Sequence, residues 1–208
     1  TLGPTQPGMG HALCWRYLPP QEKRENHFRE EGKTMTPTRK KQLFLISGAS
    51  CVGKSTLCEE LFRKETAYIV LESDLIWREV YDTPEDNYRA FRQVWMRICS
   101  NVSQIGLPVV LCGCAIPEQF EALPERSLFT ETHYLAAVCS DAEMRRRICE
   151  GRGVTDEKWI RSSLDFNRWL RENAGQTNPK ITLLDTTSLT PQQAAVLADR
   201  WIMERLKP

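Results

Sequence analysis

The stretch LFLISGASCVGKSTLCEELF, Leu43 to Phe62, decides which fold this sequence predicts. Four apolar residues run into a loop with the spacing G-x-x-x-x-G-K-[ST], and an amphipathic segment follows the loop. Gly48 and Gly53 allow backbone angles that other residues resist, so successive N–H groups can point into one concavity. A helix that starts at the end of such a loop adds its positive N-terminus. The stretch therefore predicts a strand, a phosphate-binding loop and a helix.

The side chains of this loop predict a nucleoside triphosphate as the ligand, with Mg²⁺ beside it. Lys54 is expected to reach the β- and γ-phosphates, Ser55 to place its hydroxyl on Mg²⁺, and Thr56 to contact the α-phosphate. Cys51 lies among loop N–H groups that favour the thiolate, so we expect alkylation of this thiol to inactivate the protein. The predicted nucleotide-binding residues of the loop are Gly48, Ala49, Ser50, Cys51, Val52, Gly53, Lys54, Ser55 and Thr56.

The composition limits the classes of partner. The chain has 208 residues and a net charge of +1, which gives no global electrostatic basis for binding nucleic acid or an anionic membrane surface. No apolar run approaches the roughly 20 residues that span a bilayer, and no basic segment followed by an apolar one indicates a secretory signal. The eight cysteines form no C-x-x-C pair, which favours free thiols. We therefore expect a cytoplasmic protein, with neither nucleic acid nor a membrane as its partner.

Two regions of the chain differ in pattern. Residues 1–40 mix proline, glycine and charge without a sustained period, which predicts a disordered or loosely attached N-terminal extension and makes Met35 a possible natural start. A helical extension around residues 21–31 is the alternative. Residues 41–208 alternate short apolar runs with longer amphipathic segments, and they form the predicted domain. The apolar runs lie at 43–47, 67–73, 108–114, 133–140 and 181–185.

The pattern of the second region predicts a doubly wound α/β fold. Continuous apolar runs, unlike alternating ones, are typical of parallel strands that are covered on both faces. Two capping boxes, Ser140 with Glu143 and Thr190 with Gln193, indicate helix starts between the runs. One apolar stripe at steps of three and four indicates a further helix, and it consists of Tyr88, Phe91, Trp95, Ile98, Val102 and Ile105. Five strands alternating with helices indicate an α/β sandwich.

Acidic residues at strand ends are candidates for the chemistry. Glu72 and Asp74 follow the second apolar run two residues apart, so they project the same way at the sheet edge that faces the ligand crevice. Asp74 can take a proton from an acceptor hydroxyl or help to hold Mg²⁺, while both acids can instead solvate a strand end or cap a helix. The third run, VVLCGC, carries no acid for the metal. Asp185 ends the fifth run, and Glu118 is a weaker candidate on the acceptor side.

Arginines cluster in DAEMRRRICEGRGVTDEKWI, residues 141–160. Gly151 and Gly153 flank Arg152, so this segment can hinge. A mobile basic lid around residues 145–155 stabilises phosphate charge in a transition state and excludes water when it closes. Three consecutive arginines cannot all face inward on a helix, so Arg147 and Arg152 are our candidates for the lid. Solvated surface charge is the alternative for the whole group.

Four segments carry a resemblance to a known superfamily: LISGASCVGKST, VLESDLIW, EMRRRICEGRG with DFNRWL, and LLDTTSLT. They resemble P-loop kinases of the nucleoside and nucleotide kinase-like superfamily, in particular small bacterial proteins called broad-specificity nucleotide kinase or AAA family ATPase. SDLI is also similar to a segment of chloramphenicol phosphotransferases. The resemblance implies a three-layer P-loop NTPase sandwich, a five-stranded parallel sheet of order 2-3-1-4-5, ATP with Mg²⁺, and an acceptor pocket walled by the segment after the second strand.

The resemblance also implies roles for individual residues. Lys54, Asp74, Arg147 and Arg152 are expected to be catalytic, with Asp74 on the acceptor side, and Ser55 with Asp74 is expected to bind the metal. The loop beside the adenine is expected at Asp185, Thr186 and Thr187. The chain lacks the D-G-[FY]-P-R segment that nucleoside monophosphate kinases carry after the third strand, which weighs against a nucleotide as acceptor.

Three functions stay open on the sequence. The first is ATP-dependent transfer of the γ-phosphoryl group to a small-molecule hydroxyl or phosphate, with nucleosides or nucleotides as the default of the superfamily. The second is the same reaction on an antibiotic or a sugar alcohol. The third is a nucleotide-binding regulatory ATPase with weak turnover. A GTP switch is disfavoured, because the sequence contains no [NT]-K-x-D element for reading guanine.

Overall fold

The computed structural model describes residues 40–64 and 67–207, and these fold around a five-stranded sheet. The strands are β1 Gln42–Ser47, β2 Ile69–Glu72, β3 Val109–Cys112, β4 Glu131–Val138 and β5 Ile181–Asp185. All neighbouring strands pair in parallel, in the order β2-β3-β1-β4-β5. The predicted sheet is confirmed. The extension predicted for residues 1–40 lies, apart from Lys40, outside the described residues.

Helices cover both faces of the sheet. They are α1 Lys54–Phe62, α2 Arg89–Val102, α3 Pro117–Glu121, α4 Asp141–Arg146, α5 Glu157–Asn173 and α6 Pro191–Leu206. Alternate residues of β1 point to opposite faces, and all of them are buried. Leu43 and Leu45 pack with α2 and α5, whereas Phe44 and Ile46 pack with α1 and α6. The central strands β1 and β3 are therefore continuously apolar, because both of their faces are buried.

The two predicted capping boxes differ in outcome. At the start of α6, the Thr190 hydroxyl accepts a hydrogen bond from the backbone N–H of Gln193. The side-chain oxygen of Gln193 in turn accepts one from the backbone N–H of Thr190, so the predicted box is confirmed. At the start of α4, the Ser140 hydroxyl accepts from the Glu143 N–H at 3.2 Å. The Glu143 carboxylate does not complete that box, because arginines of the same segment bind it. Only half of the second box forms.

The apolar stripe predicted for α2 packs on the sheet except at its two ends, since Tyr88 precedes the helix as its N-cap and Ile105 follows it. The members that pack against the core of this face are Phe91, Trp95, Ile98 and Val102. The α-helix ends at Val102 and continues as a 3₁₀ turn over Ser103–Ile105, which changes the angle between successive side chains. Ile105 is 70% exposed as a result, so the prediction was wrong at this position. Across residues 40–64 and 67–207, every helix is too short or too polar to span a bilayer.

Candidate active site

The loop after β1 encloses one side of a cavity of about 690 Å³, here called the phosphate cavity, which residues 50–57 help to line. Gly48 opens the loop at a point where a Cβ atom would lie 2.7 Å from the carbonyl oxygen of Ala137, so only glycine fits there. Gly53 precedes α1 with φ 108°, a backbone angle that favours glycine. The two glycines that predicted the loop therefore have separate physical reasons, a close backbone approach and a left-handed turn.

Lys54 is the first residue of α1, and its side chain folds back over the loop. The ammonium nitrogen donates to the carbonyl oxygens of Gly48 at 2.7 Å and Ala49 at 2.9 Å. An ammonium group carries three N–H donors, so one donor is left for a ligand oxygen. Ser55 and Thr56 line the same cavity. The loop thus places a fixed cation and two hydroxyls at the N-terminus of a helix.

The two candidate acids lie at the carboxyl end of β2. Glu72 ends the strand, and Asp74 lies in a 3₁₀ turn over Ser73–Ile76. Both residues line the phosphate cavity, as predicted, but Asp74 reaches it from the 3₁₀ turn and not from the strand, so strand alternation is not the reason. The hydroxyl of Ser73, which is buried, donates to an oxygen of Asp74 at 3.1 Å and orients that carboxylate.

A second cavity of about 810 Å³, here called the aromatic cavity, adjoins the first. Ser50, Asp74 and Gly113 line both cavities. Aromatic rings from the segment after β2 and from α2, α3 and α5 form the wall of the second one: Trp77, Tyr88, Phe91, Trp95, Phe120, Trp159 and Phe166. The resemblance implied only the contribution of the segment after β2. The rings of α5 were missed, because a helical stripe of aromatic residues is ordinarily a core face.

Arg147 connects three parts of the site. Its Nε donates to Glu143 at 2.7 Å, its Nη1 to the carbonyl oxygen of Val52 at 2.7 Å, and its Nη2 to the carbonyl oxygen of Thr186 at 2.7 Å. Nη1 also donates to the Thr186 hydroxyl at 3.0 Å. The guanidinium therefore ties the phosphate loop to α4 and to the loop after β5, while it lines the phosphate cavity.

The other arginines of this segment point in different directions. Arg145 pairs with Glu157 at 3.4 Å and does not line the phosphate cavity. Arg146 lines the phosphate cavity and forms a bidentate ion pair with the Glu143 carboxylate, with both hydrogen bonds at 2.8 Å. Arg152, which is exposed, also lines the cavity and follows a π-helical turn over Arg147–Gly151. Such turns are frequent at functional sites because they interrupt the regular helix.

Two predicted acids lie outside the cavities. Asp185 accepts hydrogen bonds from the backbone N–H of Thr187 at 2.9 Å and from its hydroxyl at 2.5 Å, and these bonds lower the pKa of the Asp185 carboxyl. Asp185 thus shapes the loop after β5, whereas Thr186 and Thr187 line the phosphate cavity. Glu118 is exposed on α3 and lines neither cavity. Within the described ranges, no group of three or more His, Cys, Asp or Glu side chains is arranged to hold a metal ion.

Solved structures of small-molecule kinases have a similar fold. A sugar kinase from Janibacter sp. HTCC2649 aligns with a TM-score of 0.54 and 17% identity over 79% of this chain and 95% of its own. A gluconokinase from Sinorhizobium meliloti 1021 aligns with a TM-score of 0.53 and 16% identity, over 81% of this chain and 97% of its own. The chain has the P-loop NTPase fold. Searches for a matching family model and for a similar curated protein found none.

Proposed function

We propose that this chain is an ATP-dependent phosphotransferase that moves the γ-phosphoryl group of ATP to a small-molecule acceptor. The observation that carries the proposal is the meeting of the two cavities at Asp74, Ser50 and Gly113. A switch or motor ATPase needs only the phosphate cavity. A transferase needs a second site next to the first, so that donor and acceptor lie within reaction distance.

On the donor side, the loop residues bind the triphosphate. Lys54 offers its remaining N–H donor to a phosphate oxygen, and Ser55 and Thr56 offer hydroxyls. Ser55 gives the cavity an oxygen donor that suits Mg²⁺, with Glu72 nearby, and binding this ion is the alternative to the role of Asp74 as a base. Mg²⁺ usually takes one or two protein ligands beside phosphates and water. When bound, Mg²⁺ neutralises negative charge on the transferred group.

During transfer, the protein supplies a base and positive charge. Asp74 lies at the junction of the cavities and takes the proton of the acceptor hydroxyl. Arg147 and Arg152 line the phosphate cavity from the lid segment and stabilise the charge on the phosphoryl oxygens. Arg147 also keeps the phosphate loop in place through its contact with Val52. The chemistry is thus mainly positioning and electrostatic stabilisation.

The acceptor class follows from the wall of the second cavity. Flat rings stack on aromatic side chains, so a nucleoside or nucleotide is our first choice. An antibiotic or sugar-alcohol hydroxyl is the alternative, and the sugar kinase and gluconokinase of similar fold act on polyhydroxy compounds by their names. The cytoplasmic location stays a prediction of the sequence.

The test is a screen of candidate acceptors by ADP release, with the phosphorylated products identified by mass. We expect acceptor-dependent ADP release with MgATP, and weaker binding of GTP than of ATP in parallel titrations. Lys54→Ala should lower transfer on the order of 10²–10³-fold, as removal of one electrostatic stabiliser does elsewhere. ATP binding without transfer to any acceptor contradicts the proposal and favours a regulatory ATPase. Activity of Lys54→Ala within threefold of the parent also contradicts it.

A further inference from the structure

Arg92 is the one cationic side chain among the described residues that line the aromatic cavity. It lies on the first turn of α2, where its backbone N–H donates to the carbonyl oxygen of Tyr88 at 3.1 Å. The residue is only 9% exposed. Arginine is rarely buried to this extent without a partner of opposite charge. A partner of opposite charge is therefore expected next to the Arg92 guanidinium.

No described residue supplies that partner. The Arg92 guanidinium makes no hydrogen bond and no ion pair with residues 40–64 or 67–207, and its recorded side-chain contact is with the Phe120 ring, 5.9 Å from the ring centroid. The carboxylate of Asp86 acts on it only at longer range, since that group accepts from the Thr83 hydroxyl at 2.7 Å and the Arg89 N–H at 3.1 Å. Burial lowers the pKa of Arg92.

An unpaired buried cation costs free energy in the empty protein, and an anionic ligand removes that cost. A guanidinium is planar and presents a fork of N–H donors that matches the two oxygens of a carboxylate or phosphate. The rings around Arg92 bind a flat apolar group but offer nothing to an anion. Asp74, at the junction with the phosphate cavity, is the other charged residue of the lining. The lining of the aromatic cavity thus combines one acid, one cation and several aromatic rings.

We infer that the acceptor is a ring-bearing anion, with its carboxylate or phosphate bound by Arg92 and its reacting hydroxyl next to Asp74. This inference rests on the proposed function and specifies the acceptor. In the transfer step, the acceptor oxygen forms a bond to the γ-phosphorus of ATP, the bond from that phosphorus to the β-phosphate oxygen breaks, and Asp74 takes the hydroxyl proton. The products are ADP and the phosphorylated acceptor. Arg92 binds a part of the acceptor that does not react.

Binding can be measured apart from catalysis, because Trp77, Trp95 and Trp159 line the cavity and report occupancy by their fluorescence. Matched pairs of probes differ only in the anion: cytidine and CMP, thymidine and TMP, and benzene-1,4-dimethanol and 4-(hydroxymethyl)benzoate. ADP and Mg²⁺ fill the donor site in every titration, so that nucleotides report on the second cavity. We expect the anionic member of at least one pair to bind more tightly. The pair that shows this preference identifies the bound anion as a phosphate or a carboxylate.

The variant Arg92→Gln should remove this preference. We expect the affinity for the anionic member to fall on the order of 10–100-fold, the usual effect of losing a charge-assisted pair, while the neutral member binds as before. Arg89→Gln is the matched control, since Arg89 is exposed and lies three residues earlier in the same helix, so the variant should change neither affinity. Should Arg92→Gln fail to fold, Arg92→Lys tests the same contact, because a point charge fills the site but loses the fork and should lower the preference.

The outcomes separate this inference from the proposed function. Equal binding of both members of every pair by the parent protein overturns the inference, as does a preference that Arg92→Gln, or Arg92→Lys in its place, leaves unchanged. Transfer of phosphate to neutral acceptors only, unaffected by Arg92→Gln, overturns the inference and leaves the phosphotransferase intact. A preference that depends on Arg92, in a protein that releases no ADP with any acceptor, supports the anion site and contradicts the proposed transfer.

Discussion

At the scale of single residues, Asp74 is the side chain on which the proposed chemistry depends most. It lines both cavities, and Ser73 fixes its carboxylate by a hydrogen bond at 3.1 Å. Asp74→Asn keeps the size and shape of the side chain and removes its charge. If Asp74 is the acceptor-side base, turnover should fall on the order of 10²–10⁴-fold. The affinity for ATP, set mainly by the phosphate loop, should change little.

Two other roles of Asp74 give different results for the same variant. A role in binding Mg²⁺ predicts weaker binding of MgATP and a rate that partly recovers with extra Mg²⁺. A role as a helix cap or a solvated strand end predicts altered stability with near-normal turnover. Nucleotide affinity, Mg²⁺ dependence and rate, measured together, separate the three roles. Normal turnover in a stably folded variant removes Asp74 from the active site.

Gly113 offers a second test at this scale, because it leaves space for Ser73, whose hydroxyl orients Asp74. A Cβ atom on Gly113 would lie 2.2 Å from the hydroxyl oxygen and 2.8 Å from the Cβ of Ser73, the residue that orients Asp74. Gly113→Ala must therefore displace Ser73. We expect turnover to fall on the order of 10²-fold, the effect of a small misplacement of a reacting group, and stability to fall by about 1–3 kcal/mol.

The matched control for this change is Gly175→Ala, because a Cβ atom there meets nothing within 4 Å. It should leave turnover unchanged. Turnover and the melting temperature are measured for both variants, with ATP affinity as a third value. A Gly113→Ala protein with normal turnover shows that the position of Ser73 does not control Asp74.

At the scale of elements, an ion pair with Glu143 of α4 positions Arg147, which in turn donates a hydrogen bond to the phosphate loop. Glu143 binds Arg146 and Arg147, and these guanidinium groups lower the pKa of its carboxyl from 4.5 to about 2. Because the pKa is lower in the folded chain than in the unfolded one, the ionised carboxylate stabilises the fold above pH 4.5. That stabilisation is lost as the pH falls from 4.5 towards 2. Arg147 in turn binds Val52 of the loop.

We therefore predict a pH-dependent difference between the parent protein and Glu143→Gln. The parent should melt at a higher temperature near pH 6, by a few degrees, and the difference should shrink as the pH approaches 2. Melting curves of both proteins from pH 6 to 2 test this, and the effects of the other carboxyl groups cancel in the difference. A difference that stays constant over this range shows that the Glu143 carboxylate does not stabilise α4.

The elements also show how far the sequence predicts the structure. The five apolar runs predicted the strands because burial on both faces requires continuous apolarity, and Thr190 with Gln193 predicted the start of α6 because a capping box is a local interaction. Ile105 was assigned to the stripe by its spacing alone, although Gly106 and Pro108 after it are typical of a helix end; the last turn is 3₁₀ and Ile105 is exposed. Local patterns were sufficient where no other partner competes; at Ser140 the box formed only in half, because arginines bind the Glu143 carboxylate.

The residues of the candidate site also fall into those that the sequence predicted and those that it did not. The phosphate loop was predicted because its residues are contiguous, and Asp74 because it lies two residues after the last residue of a recognisable strand. Arg92 was not predicted, since a single arginine on an amphipathic helix ordinarily lies in solvent. Its surroundings include Phe120 of α3, which is distant in the sequence and lies 5.9 Å from the guanidinium, measured to the ring centroid. Glu118 was a candidate from its place after β3, but α3 presents it to solvent.

At the scale of the whole molecule, the described residues contain the elements needed for a complete sandwich. The core on one face of the sheet joins β1, β3 and β4 to α2 and α5, and the core on the other joins them to α1 and α6. The phosphate loop has its own apolar support, in which Ala49 and Val52 pack with Met144 and Ile148. Both faces and the nucleotide site are therefore built from residues beyond Lys41.

From this we predict that deletion of residues 1–34 leaves both folding and ATP binding intact. The deleted sequence shows no period that places apolar residues on one face, so it offers little to a core. The melting temperature should shift by no more than about 3 °C, which corresponds to roughly 1 kcal/mol for a chain of this size. Thermal melts and ATP titrations of the truncated and full-length proteins are the measurements.

A control truncation that also removes residues 35–47, and with them β1, should abolish folding, because β1 pairs with both β3 and β4 at the centre of the sheet. A large drop in melting temperature on removal of residues 1–34 alone shows instead that this segment contributes to the stability of the domain.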